Sequence, residues 1–413
     1  MNASVPFYGS FPAPLAPLWH HLAPWPAAPA ERSFTCDGDH ALEGHLERTC
    51  ARVLSGVRGL VPAGRFEGLF LGGGYGRGEG GVLRDPGGDR PYNDLEFYVA
   101  LRGNRHLNEL RFRRRLEVLG EILTPLADVE LEFKITSLAE LAARPVSMFS
   151  YDLVAGHRLL WGRPEAHLLA GCEHHRRAEN IPLEEATRLL LNRCSGLLFA
   201  REQLAREPFT AEAADFVRRN IAKARLACGD ALLAAGGLYV WSCRERHRWL
   251  QRLARTAPWP WSEDLVRHHA AGVEFKLHPE SGGLPREELR ASLDEISVLA
   301  RDCWLWIESR RLGGSFASVR AYAADAADKC PGSPALRNLV LNLRADRGRP
   351  RLQPNPLRHP RQRLFRALAL LLWEPEALTD LTLRRRLQRD LHTRAATLPG
   401  MMPAYRALWE RVR

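Results

Sequence analysis

Apolar residues recur along the first third of the chain at two different periods. Between Ala41 and Leu60 they fall at Leu42, Leu46, Cys50, Val53, Leu54 and Val57, the three-and-four spacing of a helix with one buried face. Short apolar runs at Glu67–Leu71 and Leu95–Leu101 read as strands. Between them, Asp85-Pro-Gly-Gly-Asp-Arg-Pro91 is predicted to be a loop, because Pro and Gly interrupt either period. A basic helix is predicted from about Leu107 to Leu123. Ala127-Asp-Val-Glu-Leu-Glu-Phe-Lys-Ile135 then alternates apolar and charged residues, the pattern of a half-buried strand. A short helix at Leu138–Ala143 and the stretch Ser150–Gly162 complete a compact α+β unit.

From Leu183 onward the period becomes helical and stays so. Segments 183–206, 211–235, 262–275 and 285–312 have helix length and spacing, which predicts a bundle. Residues 1–38 read as a proline-broken, irregular arm, and 344–363 as a basic, Pro-rich connector. The expected organisation is therefore an arm at 1–38, an α+β domain at 39–165, an all-helical domain at 180–330, and a basic connector with a C-terminal helical segment at 331–413. The longest apolar run, Ala367–Trp373, falls far short of the roughly 20 residues of a membrane span and reads as a core helix. The N-terminus lacks both the basic and the continuous apolar segments of a signal peptide.

Composition adds two points. The eight cysteines contain no C-x-x-C pair and no secretory framework, so reduced thiols in a cytoplasmic protein are expected. The net charge of +11 is concentrated: residues 331–413 hold seventeen Arg against six acids, while the rest balances at 42 basic and 42 acidic. The excess belongs to the C-terminal segment and keeps RNA open as a partner.

The chemistry lies in Leu71-Gly-Gly-Gly-Tyr-Gly-Arg-Gly-Glu-Gly80 and in Asn93-Asp94-Leu95-Glu96. A glycine-dense turn directly behind a strand lets the backbone approach an anion closely. Asp94 and Glu96, spaced i, i+2 in a strand, project from one face. Glu130, Glu132 and Lys134 share one face of the later strand by the same period. A phosphate cradle beside paired acids is the minimum equipment for metal-assisted phosphoryl or nucleotidyl transfer.

This arrangement resembles the nucleotidyltransferase superfamily that includes DNA polymerase β and the aminoglycoside nucleotidyltransferases. Gly73-Gly-Tyr-Gly-Arg-Gly-Glu-Gly80 looks like that family's turn motif, and the region of resemblance runs only from about Glu67 to Gly162. The resemblance implies a nucleotidyltransferase-type mixed sheet with flanking helices, followed here by an all-α bundle. It implies that Gly73 and Gly74 hold the phosphates of an NTP and that Arg77 assists. Asp94 and Glu96 match the first two metal-binding acids, and Glu132 or Glu130 the third, with Glu132 favoured. The cofactor implied is Mg²⁺ or Mn²⁺. The reaction implied is transfer of a nucleoside monophosphate, AMP by default, to a hydroxyl acceptor with release of pyrophosphate. Lys223, on segment 211–235, is a further candidate contact to the triphosphate.

The sequence departs from the family pattern in three places: Gly74 stands where Ser is usual, Glu96 where Asp is commoner, and the interval from Gly73 to Asp94 is long. A non-catalytic nucleotide-binding relative and an RNA-modifying enzyme using the basic tail are the alternatives. Gly76-x-Gly78-x-x-Gly81 also fits a dinucleotide fingerprint, but Asp85-Pro-Gly-Gly leaves no room for the helix that fold requires.

Overall fold

A computed structural model describes residues 33–256, 258–280, 284–345 and 355–412. The expected arm at 1–38 lies almost entirely outside the described residues, as does the middle of the 344–363 connector. The protein is of mixed α+β type, with one small mixed sheet and a helical C-terminal region. The first elements are α1 (His40–Leu60), β1 (Phe66–Leu71), a single turn α2 (Gly73–Gly76), β2 (Val82–Asp85), β3 (Gly88–Pro91) and β4 (Leu95–Leu101). Next come α3 (Arg105–Ala127), β5 (Leu131–Thr136), α4 (Leu138–Ala142), α5 (Met148–Ala155), β6 (Arg158–Gly162) and α6 (Glu165–Leu168). The helical series is α7 (Leu183–Leu204), α8 (Ala211–Ala235), α9 (Cys243–Thr256), α10 (Ser262–Leu277), α11 (Arg286–Leu312), α12 (Val319–Ala324) and α13 (Ala335–Ala345). It ends with α14 (Arg361–Leu368), which runs on into a π-helical turn at Ala369–Trp373, then α15 (Leu381–Leu391) and α16 (Leu398–Val412).

Of the described residues, 33–185 and 233–280 form one compact unit and the remainder a second. In the first, the sheet has the order β5-β4-β1-β6. β1 runs antiparallel to both β4 and β6, whereas β4 and β5 are parallel and are joined through α3. Side chains alternate across the sheet as the pleat requires. Leu69, Leu71, Leu95, Phe97, Val99 and Leu101 face α1 and α3 in the larger core. Phe70, Tyr98 and Ala100 face the other way, into a smaller core with Leu141, Leu153 and Val154. Glu96 therefore shares its face with the smaller core, at the strand's N-terminal end.

One expectation is corrected, and two stretches to which the sequence assigns no definite element take a definite form. Asp85–Pro91 is not a loop: β2 and β3 pair as a hairpin, with Val82 opposite Pro91 and Asp85 opposite Gly88. Pro86 and Gly87 suit the two central positions of a tight turn, and an ion pair from Arg90 to Asp85 ties its two sides. Ser150–Gly162 divides into the end of α5 and the strand β6, because the Ser147 side chain caps a helix at Met148. Cys243–Thr256, absent from the expected helices, forms α9, which packs against α10. Among the described residues no helix is long and apolar enough to cross a membrane. All eight cysteines are free thiols, six of them buried.

Candidate functional site

The antiparallel pairing of β1 with β4 brings the end of β1 beside the start of β4. Leu71 lies opposite Phe97, and the Gly72 N–H donates to the Glu96 carbonyl at 2.8 Å. The chain then turns at Gly73, in the left-handed region at φ +61°. Glycine is favoured there by that φ, and a Cβ would sit in tight contact, 3.1 Å from Glu96 Oε1. At Gly72 a Cβ would lie 2.5 Å from the Tyr98 ring. The turn is thus packed directly on the side chains of β4, and Glu96 is the carboxylate that touches it.

Parallel pairing of β4 with β5 puts Glu96 level with Glu132 and Tyr98 level with Lys134. Asp94 sits just ahead of β4 and is exposed; Glu96 and Glu132 are half-buried. Between the two glutamates lies an ammonium group. Lys134 Nζ is 2.6 Å from Glu96 Oε2 and 2.9 Å from Glu132 Oε2, and it stands 5.5 Å from the centre of the Tyr98 ring. The Tyr98 hydroxyl donates to Glu96 Oε2 at 2.8 Å. Glu130 lies before β5 and is exposed.

The electrostatics follow from this crowding. Desolvation, then the charges of Glu96 and Glu132, raise the Asp94 pKa. Burial alone would raise Glu96 as well, but the hydrogen bond and charge of Lys134, with the Tyr98 hydroxyl, hold it below its ordinary value. Lys134 is raised: burial opposes its charge, and Glu96 and Glu132 outweigh burial. Replacing Lys134 by Met is accordingly expected to move the Glu96 carboxyl pKa upward, read by carboxyl-carbon NMR titration. The bridge is only partly buried, so the same change should alter stability by less than about 1 kcal/mol. An unmoved Glu96 titration would show that Lys134 does not govern the carboxylate.

Two charged residues of the glycine motif point inward instead. Arg77 is held with its Nη2 at 2.8 Å from Asp152 Oδ2 on α5, and its Nη1 donates to the Trp241 carbonyl at 3.3 Å. The Tyr239 hydroxyl donates to the same Asp152 oxygen at 3.2 Å. Arg77, expected to steady a phosphate oxygen, is thus bound to Asp152, and its charge still lowers the Glu96 pKa. Glu79 is buried and accepts hydrogen bonds from Ser242 Oγ at 2.6 Å and the Cys243 N–H at 2.9 Å, at the start of α9. Lys223 is exposed on α8, in the second unit.

The structure therefore brings together Gly73, Asp94, Glu96 and Glu132, with Gly74 in the adjoining turn. Lys134 and Tyr98 are the members that the motif alone did not single out. Lys134 was visible only as the next residue on the face of Glu132. Among the described residues, no group of three or more His, Cys, Asp or Glu side chains is gathered closely enough to hold a metal ion as it stands. The Lys134 ammonium lies between Glu96 and Glu132, whose carboxylate oxygens are donors of the type that hard cations such as Mg²⁺ take. Compared with protein-family models, curated proteins and solved structures, the chain finds no match.

Proposed function

We propose that the chain is a Mg²⁺-dependent nucleotidyltransferase of the nucleotidyltransferase-superfamily type. It would move a nucleoside monophosphate, AMP by default, from an NTP to a hydroxyl acceptor and release pyrophosphate. One observation carries this reading: a cation, the Lys134 ammonium, already sits between Glu96 and Glu132 while Glu96 lies against the Gly73 turn. Carboxylates placed beside an anion-binding turn repel the anion unless a cation lies between them, and this site is shaped around one.

Asp94, Glu96 and Glu132 would hold the metal, and the backbone of Gly73 and Gly74 would receive the phosphates. When bound, the metal neutralises phosphate charge and lowers the pKa of the attacking hydroxyl. Lys134 would leave its bridge and turn to the phosphates, for which its ammonium is a suitable point charge. Asp94, the most exposed of the three acids, is suited to take the hydroxyl proton. Arg77 would act from behind Glu96, through the field it adds there. The acceptor is a hydroxyl-bearing molecule.

The test is calorimetric titration with a non-hydrolysable ATP analogue, with and without Mg²⁺, on the wild type and on Asp94→Ala/Glu96→Ala. Binding that requires the metal and falls at least about a hundredfold in the variant is expected, since a phosphate-bound ion is worth several kcal/mol. Silence of the wild type toward ATP, CTP, GTP and UTP analogues would end this reading. The bridging Lys134 also favours a second reading, a non-catalytic nucleotide-binding relative in which the ammonium permanently replaces the ion. That version binds nucleotide without Mg²⁺ and releases no pyrophosphate with any acceptor.

A further inference from the structure

The arginine excess of the C-terminal segment is not spread over one solvated face. In the second unit, α14, α15 and the chain leading into α14 enclose a cavity of about 310 Å³. Among the described residues its lining carries four guanidinium groups, Arg358, Arg366, Arg386 and Arg389, against a single carboxylate, Asp390. Four lining residues arrive through one helix: Thr382, Arg386, Arg389 and Asp390 are spaced i, i+4, i+7 and i+8 along α15, so they share a face.

The charges in this lining are incompletely answered from within. Arg358 Nη1 donates to the Ala326 carbonyl at 2.6 Å, and Arg386 Nη1 to the Ala324 carbonyl at 2.9 Å. Each of these guanidiniums keeps further N–H groups, of the five it carries. Arg366 is 9% exposed, and its buried Nε has no hydrogen-bond partner. Its nearest acid is Asp390 Oδ1 at 3.9 Å, too far for a hydrogen bond, and Asp390 Oδ2 is also buried without a partner. The neighbouring acid Asp325 is engaged by Lys329 at 3.1 Å. Burying a cation without a paired, hydrogen-bonded anion is costly. A cluster of four with one acid is the arrangement of a site that expects an anion from outside.

We propose that this cavity binds a small oligophosphate anion, with Arg366 at its floor and Arg358, Arg386 and Arg389 closing around it. The lining holds four positive charges and one negative, an excess of three. One phosphoryl group, at about −1.5 to −2, falls short of that excess, whereas two linked groups meet it. Guanidinium forks suit phosphate oxygens geometrically, and several converging forks suit a tetrahedral group better than a planar carboxylate. The volume lies at the small end of ligand pockets, which run from about 300 to 1,000 Å³, and it leaves no room for a nucleic-acid helix. The basic C-terminal segment on this view recognises a small diphosphate, not RNA.

The experiment is calorimetry on the full chain in EDTA, so that metal-dependent binding at Asp94 and Glu96 is silent. The probes are pyrophosphate, ADP and inorganic phosphate. Pyrophosphate, ADP or both should bind, at least tenfold more tightly than inorganic phosphate and more weakly as salt rises. Pyrophosphate alone would assign the free inorganic ion; ADP as well would assign the diphosphate group of a larger molecule. Asp94→Ala/Glu96→Ala should leave this binding unchanged. Arg389→Gln, at an exposed position of α15, should weaken it at least tenfold, and Arg366→Gln should remove it. No binding of either diphosphate to the wild type, or wild-type affinity in the Arg389→Gln/Arg386→Gln double variant, would overturn the proposal.

Discussion

Substitution of Glu79 by alanine is expected to cost about 3–5 kcal/mol of stability, read by urea denaturation at neutral pH. The carboxylate is 4% exposed. It accepts hydrogen bonds from Ser242 Oγ and from the N–H groups of Cys243 and Arg244, so it closes the N-terminus of α9, and Lys276 Nζ stands 3.9 Å away. Burial alone would raise its pKa, yet Lys276, the two shortest of these hydrogen bonds and Arg246 together bring it down to about 2 from 4.5. A depressed folded-state pKa contributes stability that is fully present above the unfolded value and is lost as pH falls through the folded one. Here the window runs from about 4.5 down to about 2, and the shift corresponds to about 3 kcal/mol. Glu79→Gln keeps the shape and removes the charge. The gap between wild type and Glu79→Gln should therefore be widest at pH 6 and should narrow steadily below pH 4.5. A gap that does not change with pH would mean that the ionised carboxylate is not what holds α9.

That result bears on how the glycine motif is read. Of its charged residues, Arg77 looks in the sequence like a partner for a phosphate, yet both Arg77 and Glu79 are spent on structure: Arg77 on Asp152 of α5, Glu79 on the start of α9. Gly72 and Gly73 face the other way, toward Tyr98 and Glu96. The motif does two jobs, presenting a bare backbone to the site and fastening the turn to two helices behind it. Such fastening is what holds a turn rigid enough for its N–H groups to be useful to a ligand.

Periodicity made the sheet unit legible where it was strong. β4 runs over Leu95–Leu101, the bounds of its apolar run, and α8 over Ala211–Ala235 as its spacing requires. α9 was not legible, because Trp249, Leu250 and Leu253 are the only large apolar residues in a segment crowded with Arg, His and Glu. The hairpin at Val82–Pro91 was hidden by its own Pro and Gly, which mark turns strongly but say nothing of strands that pair on either side. At the candidate site, the i, i+2 acids were readable from one strand. The bridge by Lys134 was not, since it depends on the register of β5 against β4, with α3 inserted between them. The inward turn of Arg77 was equally unreadable, because its partner Asp152 is 75 residues away. The arginine cavity depends in the same way on Arg358 and Arg366 being carried to one face of α15.

Removal of Glu308 in the second unit is expected to be at least as damaging. Its carboxylate is fully buried, and all its acceptor capacity is used. Oε1 receives Thr187 Oγ1 at 2.7 Å and Arg311 Nε at 2.6 Å, while Oε2 receives Arg311 Nη2 and the Tyr322 hydroxyl, both at 2.7 Å. The Arg311 side chain is only 3% exposed, and its remaining bond to the Lys329 carbonyl carries no compensating charge. Glu308→Ala therefore leaves a buried guanidinium without a counter-charge, and the Thr187 and Tyr322 hydroxyls without the acceptor they use. Breaking such a pair from one side costs about 3–5 kcal/mol. For a unit of this size that lowers the melting temperature by about 10 °C, measurable by calorimetry. Replacing both members, as in Glu308→Leu/Arg311→Met, should recover a large part of the loss, because the desolvation of both charges is then avoided. The double variant separates two causes that the single one confounds. If it is as unstable as Glu308→Ala, the loss comes from packing around α11; if it recovers, the loss comes from the orphaned Arg311 charge.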